Sequence, residues 1–256
     1  MKFASAPLVR TLLAALALAT VVNAQQPSAQ PQAKDAKPAP AAASTAISAT
    51  TAPLDLARAA FNAQGGEKFR ALKNMVLIGT VDMYSPGSTQ SLSGKFGLIL
   101  APDRARMNIQ TPLFQLESIS DGERTYNSMR QVSMPPAHKF GLPVLAKFDQ
   151  PGYTVTALPD KKKERAFRIT DAAGNTTDFY VDAQTGRIVR YEVPYNGLIF
   201  SVEHTKVQEY EGVLVPVTSV WKIDMAGGGA YYAEFKAKEV KLNQTLPADT
   251  FAIPDN

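Results

Sequence analysis

The chain has no cysteine in its 256 residues, and it has only two histidines and one tryptophan. The lack of cysteine excludes disulfides, thiolate metal sites and a cysteine nucleophile, and it removes the residue at which a bacterial lipoprotein is acylated. His138 and His204 lie far apart, and neither has a second imidazole or an acidic residue at the spacing expected for zinc. The sequence therefore predicts no metal site and no cofactor.

Catalytic motifs are also lacking. There is no Gly-x-Ser-x-Gly elbow, and no Ser-x-x-Lys pair lies where a helix would present it. Asp121, Glu123, Asp178 and Asp182 could meet as glycosidase-like carboxylates, but turn and solvent-face roles explain each one. With 27 basic and 23 acidic residues, the charge balance gives no reason to expect nucleic acid as a partner. We therefore expect a protein that is not an enzyme.

Only one stretch near the N-terminus is strongly apolar, and it is short. Residues 11–22 follow the positively charged Lys2 and Arg10 and precede small residues that end at Ala24, which is the layout of a secretory signal. A membrane anchor is the alternative, but it needs about 20 apolar residues to span a bilayer. We therefore predict a signal peptide over residues 1–24, cleaved after Ala24, and a soluble exported protein.

A spacer is predicted between the signal and the folded part. Residues 25–52 consist largely of Ala, Pro, Gln, Ser and Thr without an aromatic residue, so they cannot bury enough apolar surface to offset the entropy of ordering. This spacer is either a tether that reaches across an envelope compartment or a solvated tail. The folded domain is predicted over residues 53–256, and its roughly 200 residues suit one β domain with a sizeable core.

The domain is expected to begin with two short helices and to continue as strands. Apolar residues from Leu54 to Phe61 recur at helical spacing before Gly65-Gly66, and a second helix is expected over residues 67–73. From Asn74 the period changes to two, and about ten candidate strands follow, separated by turn residues. Because no long helical pattern interrupts them, we expect an antiparallel sheet that meanders through hairpins.

The apolar face of such a sheet must be covered. The strand pattern places Thr177, Phe179 and Val181 on that face, with Asp178 and Tyr180 on the wet face. Residues 132–152, which we name the covering segment, are apolar but contain four prolines, so they cannot form a central strand. We predict that the covering segment is a loop or short helix that lies over the sheet.

These features resemble the periplasmic lipoprotein carrier superfamily that includes LolA and LolB. The resemblance rests on five stretches in succession over residues 54–254: LARAAFNAQGGEKFRALKNMVLIGTV, ISDGERTYNSM, FYVDAQTGRIVRYEV, VQEYEGVLVPVTSVW and LNQTLPADTFAIP. It implies a mostly β fold in which a strongly curved antiparallel sheet, an open half-barrel, has a concave apolar face capped by helices. It also implies a periplasmic location and a pocket for acyl chains that carries cargo without chemistry.

The resemblance further implies partners and a mechanism. The partners would be a lipid or an acylated lipoprotein and a membrane-anchored donor or acceptor, and the carrier is expected to be a monomer. In such carriers an arginine holds the lid closed, and Arg70, Arg104 and Arg106 are the candidates here. The long Pro/Ala spacer departs from the best-known members, which leaves lipoprotein sorting less supported than lipid binding.

Eleven apolar residues are predicted to line the pocket. They are Leu98, Met107, Ile109, Met134, Phe140, Phe179, Val181, Phe200, Val202, Trp221 and Phe235. Two alternatives stay open. These side chains could fill a closed core without a cavity, and the chain could be an envelope sensor or interaction module of the same fold that binds a membrane-anchored regulatory protein.

Overall fold

The computed structural model describes residues 47–129, 134–161, 163–224 and 229–254. The predicted signal peptide and the predicted spacer up to residue 46 lie outside the described residues, as do the first two residues of the covering segment. The described residues belong to one compact unit, Ser44–Asn256. No helix among them is long and apolar enough to cross a membrane.

The described residues form three short α-helices: α1 (Pro53–Gln64), α2 (Glu67–Arg70) and α3 (Leu142–Leu145). The first two confirm the helices predicted at the domain start. Proline in the first turn of α1 suits the helix geometry, and Gly65 ends the helix with φ at 127°. Gly65 also lies so close to the backbone of Gly212 that a Cβ would come within 2.7 Å of its carbonyl oxygen.

Helix α2 is shorter than predicted. It ends at Arg70. The residues that follow form hydrogen bonds with the C-terminal part of the chain. The Lys73 N–H donates to Asn243 Oδ1 at 2.9 Å, and the Asn74 side chain exchanges two hydrogen bonds with the backbone of Gln244. The helix therefore ends one turn earlier than helical spacing suggested, and the first strand begins at Met75, next to the predicted Asn74.

In the described part of the chain, twelve strands form one antiparallel sheet. They are β1 (Met75–Tyr84), β2 (Leu92–Leu100), β3 (Ala105–Gln110), β4 (Gln115–Ser120), β5 (Thr125–Asn127), β6 (Thr154–Ala157), β7 (Glu164–Thr170), β8 (Thr176–Asp182), β9 (Ile188–Tyr195), β10 (Leu198–Tyr210), β11 (Val213–Asp224) and β12 (Ala230–Leu242). The predicted antiparallel meander is confirmed. The sequence indicated about ten strands, and the shortest ones are the edge strands β5 and β6.

The order of the strands explains where the covering segment runs. In the sheet the order is β5-β4-β3-β2-β1-β12-β11-β10-β9-β8-β7-β6, so β1 pairs with β12 in the middle and the two edges, β5 and β6, do not pair. The chain between β5 and β6 therefore connects opposite edges of the sheet. The covering segment lies in this connection, and it contains the 3₁₀ turn Ala137–Lys139 and α3.

The sheet is strongly curved. Met107 on β3 and Tyr191 on β9 line the same small cavity, although six strand spacings separate their strands in the sheet order. In a flat sheet that separation would be about 29 Å, at about 4.8 Å per strand. The concave side must therefore curl until strands from both halves face each other, as in the predicted open half-barrel.

The outer face of β8 is less wet than predicted. Asp178 and Tyr180 alternate with the core residues as expected, but both are buried. Arg168 Nη2 donates to Asp178 Oδ2 at 2.7 Å, and the Arg190 guanidinium lies 3.3 Å from the centre of the Tyr180 ring. Long arginine side chains from β7 and β9 cover this strand, which a single-strand pattern does not reveal.

Candidate functional site

Three adjoining cavities lie around the covering segment and the concave face. The first has a volume of about 120 Å³ and lies between α2, the end of β2 and α3. The second, of about 90 Å³, lies beneath residues 134–143, and the third, of about 70 Å³, lies deeper between β1 and β11. Each is several times the roughly 10–15 Å³ that one water molecule needs.

Two leucines line all three cavities. Leu100 at the end of β2 and Leu142 at the start of α3 contribute to each of them. The side chains of Leu100 and Leu142 are therefore shared walls of the three cavities. We expect a movement of α3 that displaces Leu142 to widen the passage between them.

Eight of the eleven predicted residues lie at the second and third cavities. They are Leu98, Met107, Met134, Phe140, Phe200, Val202, Trp221 and Phe235. They come from five strands and from the covering segment, and the curvature of the sheet brings them together. Their contact with a ligand remains a prediction.

The other three predicted residues lie elsewhere. Ile109, Phe179 and Val181 belong to the buried core and line none of the three cavities. Phe179 is stacked on Phe167, with 5.2 Å between the ring centres. Helix α1 contacts β6, β7 and β11, and its apolar side belongs to the same core cluster as Phe179 and Val181.

Sequence reasoning did not select Tyr191, although the alternation of β9 had placed it on the apolar face. Its side chain lines the second and third cavities, and burial raises the pKa of its hydroxyl. The covering segment passes directly over it at Gly141, where an added Cβ would lie 2.6 Å from the Tyr191 ring. Gly141 has φ at 64°, and its N–H donates to Thr177 Oγ1 at 3.2 Å. This glycine permits the close crossing of the covering segment over the sheet.

The second and third cavities are apolar and electrically neutral. Their polar side-chain groups are the hydroxyls of Ser118, Ser120, Ser219 and Tyr191, the imidazole of His204 and the indole N–H of Trp221. No Asp, Glu, Lys or Arg of the described chain lines them. Burial lowers the pKa of His204 to about 4, so its ring is neutral at pH 7. It packs edge-on against the Tyr191 ring at 5.7 Å. Such a site suits an apolar chain and disfavours a charged group.

The first cavity differs because two cations line it. Arg70 donates from Nε to the Ala146 carbonyl oxygen at 2.9 Å and from Nη2 to Asp149 Oδ1 at 2.6 Å. It also pairs with Glu67 on its own helix. The second cation is Lys147, which is half-buried and forms no ion pair or side-chain hydrogen bond with a described residue.

Of the three arginines considered as a lid latch, Arg70 is the one that reaches the described part of the covering segment. Arg106 pairs with Glu117 at 2.6 Å and donates to the Thr250 carbonyl oxygen, which ties β3 and β4 to the C-terminal segment. Arg104 lies over the Phe251 ring at 5.0 Å. Arg70 therefore has the position that a latch requires, and its role as a latch stays a prediction.

His138 is the other unusual group in the covering segment. It is 4% exposed, and its Nδ1 has no hydrogen-bond partner. Burial, followed by the nearby charges of Lys139 and Lys147, lowers its pKa to about 4. The covering segment thus packs against the domain with a neutral imidazole inside it. In the described part of the chain, no three His, Cys, Asp or Glu side chains are grouped as a metal site would require.

Comparison with known proteins shows the fold. No protein-family profile and no curated protein sequence matches the chain. Among solved structures, a LolA superfamily protein from Nitrosomonas europaea superposes with a TM-score of 0.52 at 12% identity, over 80% of this chain and 99% of that one. A DUF1329 family protein from Desulfovibrio piger gives 0.47 at 9% identity, over 78% and 98%. LprF from Mycobacterium bovis gives 0.27 at 12%, over 80% and 100%. The fold is LolA-like, as the sequence resemblance implied.

Proposed function

We propose that this protein is a periplasmic carrier or chaperone that binds lipid, or the acyl chains of a lipoprotein, in the cavities beneath the covering segment. The observation that carries the proposal is the presence of three adjoining, mostly apolar cavities that share Leu100 and Leu142 as lining residues. A closed core would leave no such space at the centre of the domain. Binding and release would need no chemistry, and the predicted signal peptide would deliver the chain to the periplasm.

The energetics favour an acyl chain as cargo. Each buried methylene stabilises a complex by about 0.8 kcal/mol, so a chain of twelve carbons supplies on the order of 10 kcal/mol before the costs of ordering. Neutral apolar walls of the second and third cavities offer this gain without desolvating a charge. Displacement of Leu142 would lengthen the space to accept the chain.

Native mass spectrometry of the protein purified without detergent tests this proposal, followed by extraction and analysis of any bound lipid. We expect a defined adduct whose mass corresponds to a lipid or an acylated peptide. Trp221 gives a second readout, because the only tryptophan of the chain lines two cavities and its emission should change when an acyl chain enters. An unliganded mass, together with no change in Trp221 emission on titration with fatty acid, would contradict the carrier.

A further inference from the structure

The first cavity combines an apolar floor with an unneutralised cation. Phe69, Leu72, Met75 and Leu100 supply apolar walls, and Lys147 lies at the side formed by the covering segment. Arg70, the other cation there, already binds two carboxylates and a carbonyl oxygen. Lys147 has no such partner among the described residues.

We propose that the first cavity binds the anionic head group of an acyl-chain amphiphile, with the Lys147 ammonium as its counter-ion. This inference rests on the proposed function and narrows the cargo to an amphiphile with a carboxylate or phosphate head. The head group pairs with Lys147, and the acyl chain extends past Leu100 and Leu142 into the neutral second cavity.

Burial and charge support this assignment. A half-buried ammonium without a counter-ion destabilises its surroundings, and burial lowers the pKa of Lys147. Asp103 and Asp171 act on it only at longer range, and neither forms an ion pair with it. An anion in the cavity would supply the missing partner through charge-assisted hydrogen bonds, which are roughly twice as strong as neutral ones. No acidic residue of the described chain lines this cavity.

The distribution of charged residues among the cavities indicates in which orientation the ligand would bind. Both cations line the first cavity, whereas no charged residue of the described chain lines the second or third. An anionic head in either inner cavity would be desolvated without compensation, so the head should remain beside Lys147 while the chain enters. The shared walls at Leu100, Leu142 and Pro143 lie along this path.

Four twelve-carbon amphiphiles with different head groups test the inference: laurate, dodecyl phosphate, 1-dodecanol and dodecyltrimethylammonium. Each is titrated into the full chain below its aggregation concentration, with calorimetry and Trp221 emission as readouts. We expect the two anions to bind about tenfold more tightly than the alcohol and the cation. A preference between the two anions then distinguishes a fatty acid from a phosphate-bearing lipid as the natural source.

The variants Lys147→Met and Lys147→Arg distinguish the effect of the positive charge from the effect of the apolar cavity on binding. Lys147→Met should lose the preference for anions but keep its affinity for 1-dodecanol, and Lys147→Arg should keep both. Lys139→Met is the matched control, since Lys139 lies in the covering segment but does not line the first cavity. Equal binding of all four amphiphiles, or an undiminished anion preference in Lys147→Met, would overturn the inference and leave the carrier intact. If wild type binds none of them, the carrier proposal fails too.

Discussion

At the scale of single residues, the site depends on which side chains face the space beneath the covering segment. Val202 is 7% exposed and lines two cavities, while its neighbour Ser201 points to the opposite face of β10. Alternation along a strand predicted this difference without a structure. A pair of substitutions on these adjacent residues can therefore distinguish an effect on the cavity from an effect on the strand.

Val202→Glu should abolish acyl-chain binding, because a carboxylate in a neutral cavity would have to be desolvated on ligand entry. The measurement is the change in Trp221 emission on titration with laurate. Ser201→Glu introduces the same charge on the other face and should bind laurate like wild type. Circular dichroism of both variants checks that they fold. Normal laurate binding by a folded Val202→Glu variant would show that the second and third cavities do not hold the chain.

The residue scale also shows where sequence reasoning stopped. Alternation identified the apolar face of β8. It could not tell that Phe179 and Val181 belong to the core cluster that includes the apolar side of α1, whereas Phe200 and Val202 line a cavity. That distinction depends on where a distant helix packs, and α1 lies more than a hundred residues away in the chain. Tyr191 was on the predicted face, and only the crossing of the covering segment at Gly141 shows its central position.

At the scale of elements, α3 contributes one side chain to the lining of all three cavities. Leu142 lines all three cavities, whereas Leu145, one turn later on the same helix, is completely buried in the core and lines none of them. The sequence predicted an apolar, proline-containing cover. It did not predict that, of two leucines three residues apart, one lines the cavities and the other lies in the core. The two leucines allow a matched comparison.

Leu142→Ala should join the cavities and raise the affinity for longer acyl chains relative to laurate, and it should lower the free energy of unfolding by about 2–4 kcal/mol. Leu145→Ala should cost a similar amount but leave the chain-length preference unchanged. Binding of fatty acids from twelve to eighteen carbons and urea denaturation of each variant provide the measurements. An identical chain-length profile in the two variants would show that Leu142 does not partition the space.

A second element-scale prediction concerns the attachment of α3. Arg70 connects α2 to Ala146 and Asp149, so its replacement should free the covering segment. We expect Arg70→Met to accelerate amide hydrogen exchange over residues 142–149 and to speed the entry of laurate. Arg124→Met is the control, because Arg124 pairs with Asp121 in the turn between β4 and β5 and its side chain is 71% exposed. Unchanged exchange of the covering segment in Arg70→Met would exclude the latch.

At the scale of the whole molecule, the fold follows from one topological fact. The chain forms a meander from β1 to β5, crosses to the other edge, and returns through a second meander until β12 pairs with β1. The hydrophobic pattern predicted strands and hairpins because these depend on local sequence. It did not predict the central β1 and β12 pair, which joins residues about 150 positions apart and is fixed by the packing of the complete sheet.

The free energy of unfolding should also depend on pH, and this is a property of the whole molecule. Two histidines on different elements are held neutral by burial in the folded protein. The pKa of both His138 and His204 is lowered to about 4 in the folded protein, against an ordinary value of 6.5. The unfolded chain therefore takes up protons first as the pH falls. Stability should be fully present above pH 6.5 and should be lost progressively between pH 6.5 and about 4.

Because the pKa falls from 6.5 to about 4, each histidine contributes on the order of 3 kcal/mol to this loss. The carboxylates Asp121 and Asp182 have pKa values below their ordinary 3.8, so their contribution falls below this window. Urea denaturation at pH 7.5, 6.0, 5.0 and 4.5 measures the slope. Replacing both histidines with glutamine should flatten it, and His138→Gln alone should flatten it by about half. A wild-type free energy of unfolding that stays constant from pH 7.5 to 4.5 would show that neither imidazole is held neutral by the fold.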